Sequence, residues 1–417
     1  MNARNQLRKR SRLALTSAGL VSAALVLTAC SSGGESAGTS TAAPTGDRSS
    51  LVEQFPESVR AQLEPLPTEL VRQLLQVRKA SPGTVVWTDS GGEQHDGFRA
   101  AFLEDWEQIT GWSVKGAVAS VDGALAQLQS QVASGSPEWD VFSTLDDASA
   151  ADLASKNVFE KLDMKSIPTG DFPEGTRFDP DGYWVDWAPF GTVLLWNTDV
   201  WPLSGKHPEK VSDLFDVKNF PGKRCVFNFP QYSSNLEFAA MADGVPADKV
   251  YAKLATKDGL DAAFDKLSEI KNDLVFANSG ADSVQFVLDG ECDLGITWNG
   301  RPMGRVKADP NLPIAVTWDG ALMTSGPLAI PRGAKNVTAA QSLVSFASQP
   351  ASHCNVLNEL GYGLTLDVKP FPSCVSDLAK SWGPQYSEIA GWTDNTFYIE
   401  HPELTDDWTL WQTGKRS

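Results

Sequence analysis

Side chains that commonly perform catalysis or bind metals are few and widely separated in this sequence. The histidines are scattered over the chain, at His95, His207, His353 and His401. None of the spacings that mark a serine nucleophile elbow, a zinc-protease helix, a phosphate-binding loop or a dinucleotide-binding turn occurs. The sequence therefore predicts no catalytic centre, no metal site and no cofactor.

The cysteines indicate an oxidising compartment. Cys30 stands apart near the N-terminus, and an even number remains, at Cys225, Cys292, Cys354 and Cys374. Four cysteines allow three pairings. We favour Cys225–Cys292 together with Cys354–Cys374, because each pair then stays within one region of the chain.

The N-terminus has the organisation of an export signal. Residues 4–12 carry five positive charges, and residues 13–29 form an apolar run that is too short and too rich in Ala, Ser and Thr to span a bilayer. The following Leu-Thr-Ala-Cys resembles the bacterial lipobox, which implies a signal peptide over 1–29 and lipidation of Cys30. An ordinary signal that happens to contain a cysteine is the alternative. Residues 30–50 are small and polar, as in a flexible tether.

Net charge argues against nucleic-acid and anionic-lipid partners. The whole chain carries −17, and loss of the five signal-peptide cations gives −17 − 5, about −22. Such a surface repels phosphate-rich partners. We therefore expect membrane attachment only through the lipid, at the outer side of the cell membrane.

About 370 residues follow the tether, which is enough for two domains. Residues 51–82 predict an N-terminal helical segment, and from residue 83 strands alternate with helices, which is typical of an α/β fold with mixed sheets flanked by helices. We predict a first lobe over 83–189 and 319–417, and a second over 190–318. Two crossings between the lobes imply a hinge and a cleft, where ligands of open α/β sheets bind.

Several stretches, in order, resemble the extracellular solute-binding proteins of the spermidine/putrescine type, which have the type II periplasmic-binding fold. The matching stretches are 87–92, 139–144, 190–198, 220–224, 289–301 and 326–330. The resemblance implies the substrate-binding component of an ABC importer, working as a monomer with permease and ATPase subunits. It also implies hinge closure around a small polar solute. A polyamine is the ligand of the resembled family, and an amino-acid-like zwitterion, an anion or a neutral polar solute also remain open.

The resemblance also suggests residues of the site. Positions that match the family's ligand-contacting aromatic and hydroxyl residues are Trp87, Thr88, Ser143, Thr144, Trp298 and Tyr362. Carboxylates that polyamine binders use are replaced here, for example by Ser325 and Tyr232. Asp89 and Asp146 are the nearby substitutes, and Arg301 could hold an anionic group. Each has a structural alternative: tryptophans pack in cores, Asp89 could cap a helix, and Arg301 could pair with Asp293 or Glu291.

Other functions remain open at this stage. An exported sensor or assembly lipoprotein could reuse the same fold. An exported hydrolase is less favoured, since no catalytic motif occurs. A ferric-ion binder of this fold would need adjacent tyrosines, and the tyrosines here are isolated.

Overall fold

The computed structural model describes residues 45–119, 123–143, 146–168, 178–187, 189–363, 374–385 and 388–416. The predicted signal peptide, Cys30 and most of the tether lie outside these residues, as does Thr144. Described residues from Gly46 onward belong to one compact unit. Within the described part of the chain, no helix has the length and apolar character needed to cross a bilayer.

The strands form two mixed sheets. In chain order they are β1 Thr84–Asp89, β2 Ser113–Val118, β3 Val141–Phe142, β4 Trp184–Asp186, β5 Phe190–Asn197, β6 Arg224–Phe227, β7 Leu274–Ala277, β8 Leu294–Trp298, β9 Ile314–Thr324, β10 Pro327–Ala329 and β11 Gly391–Trp392. The first sheet has the order β2-β1-β3-β10-β4, and the second has the order β11-β9-β5-β8-β6-β7. We call each sheet with its helices a lobe, and the predicted two-lobed α/β fold is confirmed.

Helices flank both sheets. They are α1 Thr45–Val52, α2 Glu57–Leu63, α3 Thr68–Lys79, α4 Glu93–Phe98, α5 Glu104–Thr110, α6 Ala124–Ala133, α7 Asp147–Ser155, α8 Asn235–Ala242, α9 Val250–Leu254, α10 Lys257–Glu269, α11 Gly280–Leu288, α12 Gly300–Ala308, α13 Val337–Ala347, α14 Pro350–Leu360, α15 Asp377–Trp382, α16 Thr396–Glu400 and α17 Leu404–Gln412. A π-helical turn, Arg99–Leu103, joins α4 to α5. The predicted N-terminal helices occur, and α3 buries Leu70, Leu74 and neighbouring apolar residues in the core of the first lobe.

Both sheets contain parallel and antiparallel pairs of strands. In the first lobe β1 pairs in parallel with β2 and β3, while β10 runs antiparallel to both β3 and β4. In the second lobe β5 is antiparallel to both β8 and β9, whereas β6 is parallel to β7 and β8. The carboxyl ends of the parallel strands β1 and β3 bring the loops after them to one edge of the first sheet.

Two short crossovers connect the lobes side by side. The first crossover lies between β4 and β5, and the second, Ser325 and Gly326, lies between β9 and β10. The Trp187 backbone N–H donates to the Gly326 carbonyl at 3.1 Å, which ties the two crossovers together. A further connection runs from α14 through α15 to β11 in the second sheet.

The C-terminal segment corrects the predicted lobe boundary. Residues 319–417 were expected in the first lobe, but β11 pairs with β9, and α16 and α17 pack on the second core. Leu404, Trp408 and Trp411 form an apolar stripe at helical spacing, and both tryptophans contact Phe264 and Phe276. Periodicity reveals that this helix has a face to bury. It does not reveal which lobe supplies the complementary surface.

Both predicted disulfides are present. Cys225–Cys292 lies within the second lobe, and Cys354–Cys374 joins the α14 helix to the segment before α15. The sequence separations are 67 and 20 residues. Each bridge therefore closes a loop within one region of the chain, as the pairing argument required.

Candidate functional site

Several predicted site residues lie at the carboxyl ends of β1 and β3 or in the loops after β6 and β8, and contacts of Tyr232 with Ser149 and of Arg301 with Gly91 join these regions. The first lobe contributes the turn 89–92 and the start of α7. The second lobe contributes the loop 228–234 and the start of α12. The two crossovers form the floor, so every wall of this interlobe site is positioned by a strand end or a helix start.

Asp89 is engaged within its own turn. One of its carboxylate oxygens accepts from the Gly91 backbone N–H at 2.7 Å, and the other lies 2.7 Å from His95 Nδ1. The hydrogen bond to this carboxylate raises the pKa of His95. The predicted helix cap is not formed, because α4 begins after Gly92 without a side-chain cap, and the two oxygens of Asp89 instead bind Gly91 and His95.

Thr88 and Ser143 lie next to each other at the ends of β1 and β3. The Ser143 hydroxyl donates to the Thr88 carbonyl at 2.5 Å, and both residues are buried. Thr88 Oγ1 has no hydrogen-bond partner among the described residues. A buried hydroxyl without a partner is costly, so this oxygen is suited to contact a bound molecule.

Asp146 is the buried carboxylate of the first-lobe wall. It is the N-cap of α7, where its Oδ1 accepts from the Ser149 backbone N–H at 3.0 Å. Its Oδ2 accepts no well-formed hydrogen bond from the part of the chain that is described. Burial raises the pKa of Asp146, and the hydrogen bonds from Ser149 and the nearby Tyr232 hydroxyl offset this only in part. A cationic group would stabilise the charged form.

Tyr232 connects the lobes and has an unusual backbone. Its hydroxyl lies 2.9 Å from Ser149 Oγ across the interlobe boundary. Its φ of 60° is in the left-handed region, which is rare for a bulky residue and often marks a functional loop. Its carbonyl accepts from Trp298 Nε1 at 3.3 Å, and this bond fixes the loop against the end of β8.

Behind the site, a series of aromatic rings in contact with one another runs from the second lobe to the first. Trp298 stacks on Phe227 with ring centroids 4.9 Å apart and meets the edge of Phe190 at 6.1 Å. Phe190 then contacts Tyr362 at 5.3 Å, and Tyr362 contacts Trp187 at 5.6 Å. Trp298 and Tyr362 are thus brought to the same region from opposite lobes, beside the crossovers.

Trp87 does not share that position. It is fully buried in the first core, with edge contacts to Phe98 at 5.5 Å and Phe102 at 5.4 Å. Trp87 is therefore a core residue, as the structural alternative predicted. Its side chain points from β1 towards the helices and not towards the end of the strand. Its Nε1 has no hydrogen-bond partner within the described ranges.

Arg301 is the second residue of α12, and its side chain extends across the cleft to the first lobe. Its two terminal nitrogens approach the Gly91 carbonyl at 3.4 Å and Gln94 Oε1 at 3.5 Å, both in the first lobe. The predicted alternative, pairing with Asp293 or Glu291, is wrong: Asp293 instead accepts from the Lys223 backbone N–H. Arg301 is 4% exposed, and no carboxylate of the described residues pairs with it.

Ser325 lies in the second crossover. It is buried, and its hydroxyl has no partner among the residues with described positions. Neighbouring Gly326 packs so tightly on Trp187 that an added Cβ would lie 2.6 Å from Trp187 Nε1. The polar hydroxyl is therefore held beside the hinge on a backbone with little room to move.

Some residues at the interlobe boundary were not singled out from the sequence. Asn299 donates to the Gly361 carbonyl at 2.7 Å and accepts from the Gly191 backbone N–H at 3.0 Å. Arg305 Nε lies 2.8 Å from Glu93, so a rim ion pair also joins the lobes. Asn299 and Arg305 flank Arg301 on the segment after β8, but no pattern in the sequence indicates a partner for either residue.

The site thus combines opposite charges with hydroxyls and rings. Asp146 and Arg301 supply a carboxylate and a guanidinium from different lobes, and Thr88 and Ser325 supply hydroxyls. Among the described residues, no cluster of three or more His, Cys, Asp or Glu side chains could hold a metal ion. This composition is suited to binding a small charged molecule rather than to activating water or a nucleophile.

Comparisons with known proteins agree on one family. A model of bacterial extracellular solute-binding proteins matches residues 100–366, more than half of the chain. A gamma-aminobutyric acid-binding protein of Pseudomonas aeruginosa is 27% identical over 327 residues, which are 77% of this chain and 88% of that protein. A spermidine/putrescine-binding periplasmic protein of Salmonella typhimurium is 30% identical over 105 residues, 25% of this chain and 29% of that protein.

A solved structure of the same kind supports the fold. The structure described as the Atu4243–GABA receptor has a TM-score of 0.65 and 28% identity, and the match covers 79% of this chain and 97% of that chain. The alignment spans both lobes, so the likeness is not confined to one sheet. This chain therefore belongs to the bacterial extracellular solute-binding protein family, with the type II periplasmic-binding fold.

Proposed function

We propose that this protein is the lipid-anchored substrate-binding component of an ABC importer and that it captures an amino-acid-like zwitterion between its lobes. The lipidated Cys30 would hold the protein at the outer side of the cell membrane, as a monomer. Binding would proceed without turnover, and the closed form would dock on the permease, which works with its ATPase.

The observation that carries the proposal is the pair of buried, opposite charges. Asp146 is on the first lobe, and Arg301 is on the second. Neither forms an ion pair with a described side chain, although each is at most 4% exposed. Buried charges that face no opposite charge are expensive even when they are hydrogen-bonded, so a ligand with an ammonium and a carboxylate would stabilise both.

A polyamine satisfies this arrangement less well. A dication needs carboxylates at both ends, but Asp89 already serves Gly91 and His95. The positive Arg301 would also face one of its ammonium groups. One relative supports the zwitterion, since a protein that aligns over 88% of its length is described as a gamma-aminobutyric acid-binding protein. The spermidine/putrescine relative aligns over only 29% of its own length.

Hinge closure is the mechanism that the contacts favour. Tyr232, Arg301 and Arg305 all reach from the second lobe to the first. A solute that contacts both lobes binds the closed form more tightly than the open form, so it increases the closed population. The short crossovers, tied together through Trp187 and Gly326, would form the hinge.

Isothermal titration with gamma-aminobutyric acid, butyrate, butylamine and putrescine tests the ligand class. Asp146→Asn removes the anion while retaining the oxygen that caps α7, and Arg301→Gln removes the cation. Each lost charge-assisted contact is worth about 1.5–3 kcal/mol, so each variant should bind the zwitterion about 10- to 150-fold more weakly.

The matched control is Asp152→Asn, on the same helix but half-buried and paired with Lys156. It should leave affinity unchanged. Tighter binding of putrescine than of the zwitterion, or unchanged affinity in both cleft variants, would refute the proposal. The anchor is tested separately: Cys30→Ala should release the protein from the membrane fraction of cells that express it.

A further inference from the structure

A cavity lies behind the loop 228–232, on the side of the second lobe that is formed by the C-terminal helices. Its volume is about 380 Å³, which is within the range of small-molecule sites. The loop after β6, α16 and α17 form most of its wall. Leu125 and Ser149 of the first lobe complete it.

None of the described residues that line this cavity carries a charge. An ion placed there would meet no countercharge among these described residues, which makes a charged solute unfavourable. The zwitterion proposed for the cleft is therefore poorly matched to this cavity. Tyr232 separates the two spaces, since it lines the cavity while its hydroxyl contacts Ser149 and lies near Asp146.

The lining combines amides and hydroxyls with aromatic faces. Asn228, Gln231, Asn395 and Thr405 contribute polar groups, while Phe229 and Trp408 contribute rings. The amide nitrogen of Asn395 donates to Thr324 and Thr393, but within the described residues its oxygen accepts no hydrogen bond. A purely apolar solute would leave such groups without partners.

A neutral molecule with several hydroxyls meets both requirements. Hydroxyls donate and accept, so they match amide oxygens and amide nitrogens alike. The C–H face of the same molecule can cover a ring. We propose that this cavity is a second binding site, which takes an uncharged polyhydroxy solute.

The position of the cavity couples it to the cleft. Its wall is complete only when Ser149 and Leu125 of the first lobe meet the second lobe, so occupancy should favour the closed arrangement. A ligand that binds the closed form better increases the affinity of any other ligand that requires closure, and the effect is reciprocal. This coupling rests on the proposed hinge closure, whereas the site itself does not.

Titration calorimetry with glycerol, D-glucose and myo-inositol tests the site. Thr409 lines the cavity and is exposed on α17, so Thr409→Phe fills the space without burying a new group in the core. Thr413→Phe, one turn further along and outside the cavity, is the matched control. At least one probe should bind the wild type and the control, and Thr409→Phe should weaken that binding at least about tenfold.

Titration of gamma-aminobutyric acid with and without the bound probe tests the coupling. Its affinity should rise about fivefold or more with the probe in the wild type, and should not change in Thr409→Phe. Absence of binding by all three probes, or equal binding by Thr409→Phe, would overturn the second site. Probe binding without any gamma-aminobutyric acid binding would refute the proposed function while supporting this site.

Discussion

Gly300 provides a direct test of hinge closure, because it lies where the lobes press together. It is the first residue of α12 in the second lobe. A Cβ at this position would lie 2.5 Å from the Leu360 carbonyl oxygen and 2.5 Å from the Tyr362 ring. Both partners belong to the first lobe, and one of them is backbone that cannot rotate away. Gly300→Ala should therefore disfavour the closed form.

The magnitude follows from the cost of overpacking. Inserting a methyl group into a well-packed contact costs about 1–3 kcal/mol. If the lobes separate, the ligand-free protein avoids this cost by opening, so its free energy of unfolding should stay within about 0.5 kcal/mol of the wild type. Ligand binding requires the closed form, in which the added methyl group clashes. The affinity for the ligand should therefore fall about 5- to 150-fold.

Calorimetric titration with the cleft ligand and urea unfolding of the ligand-free protein measure the two quantities. Gly304→Ala is the matched control on the same helix, since its Cβ would lie 3.5 Å from Glu93 in ordinary contact. Its ligand affinity should equal that of the wild type, and its free energy of unfolding should rise by no more than about 1 kcal/mol, because alanine favours a helix interior over glycine. Unfolding of Gly300→Ala that is easier by 1–3 kcal/mol, with unchanged affinity, would show that the lobes do not separate and would refute the mechanism.

Two further predictions concern stability. Because Cys225–Cys292 closes a loop of 67 residues and Cys354–Cys374 one of 20, replacing the first pair by alanine should cost about 4 kcal/mol and the second about 3 kcal/mol, measured by urea unfolding; a larger loss for the second pair would contradict loop entropy as the main cause. Burial lowers the pKa of His353 to about 3, below its unfolded value. Its contribution to the free energy of unfolding is therefore complete above about pH 6.5, and this contribution falls by about 1.4 kcal/mol for each pH unit below 6.5. His353→Gln should remove that pH dependence from unfolding curves between pH 7 and pH 5, and an unchanged slope would show that other groups cause it.

Local sequence patterns were sufficient for the class of fold and for part of its connectivity. Alternating strands and helices, the two crossovers and the disulfide pairs were all predicted, since each depends on periodicity or on short separations along the chain. The resemblance also placed Trp298 and Tyr362 near one another. The ligand contact predicted for Trp87 did not follow from its position at a strand end, because a tryptophan there packs equally well inward against helices.

Tertiary structure alone decided the partners of the charged groups and the location of the last helices. Arg301 meets Gly91, 210 residues away, and Tyr232 meets Ser149, 83 residues away. Whether a buried charge contacts a neighbour in sequence or the opposite lobe depends on where the crossovers place two whole sheets. The α17 stripe shows the same limit, since its spacing determines which face is buried, while only the assembled second core supplies the surface that buries it.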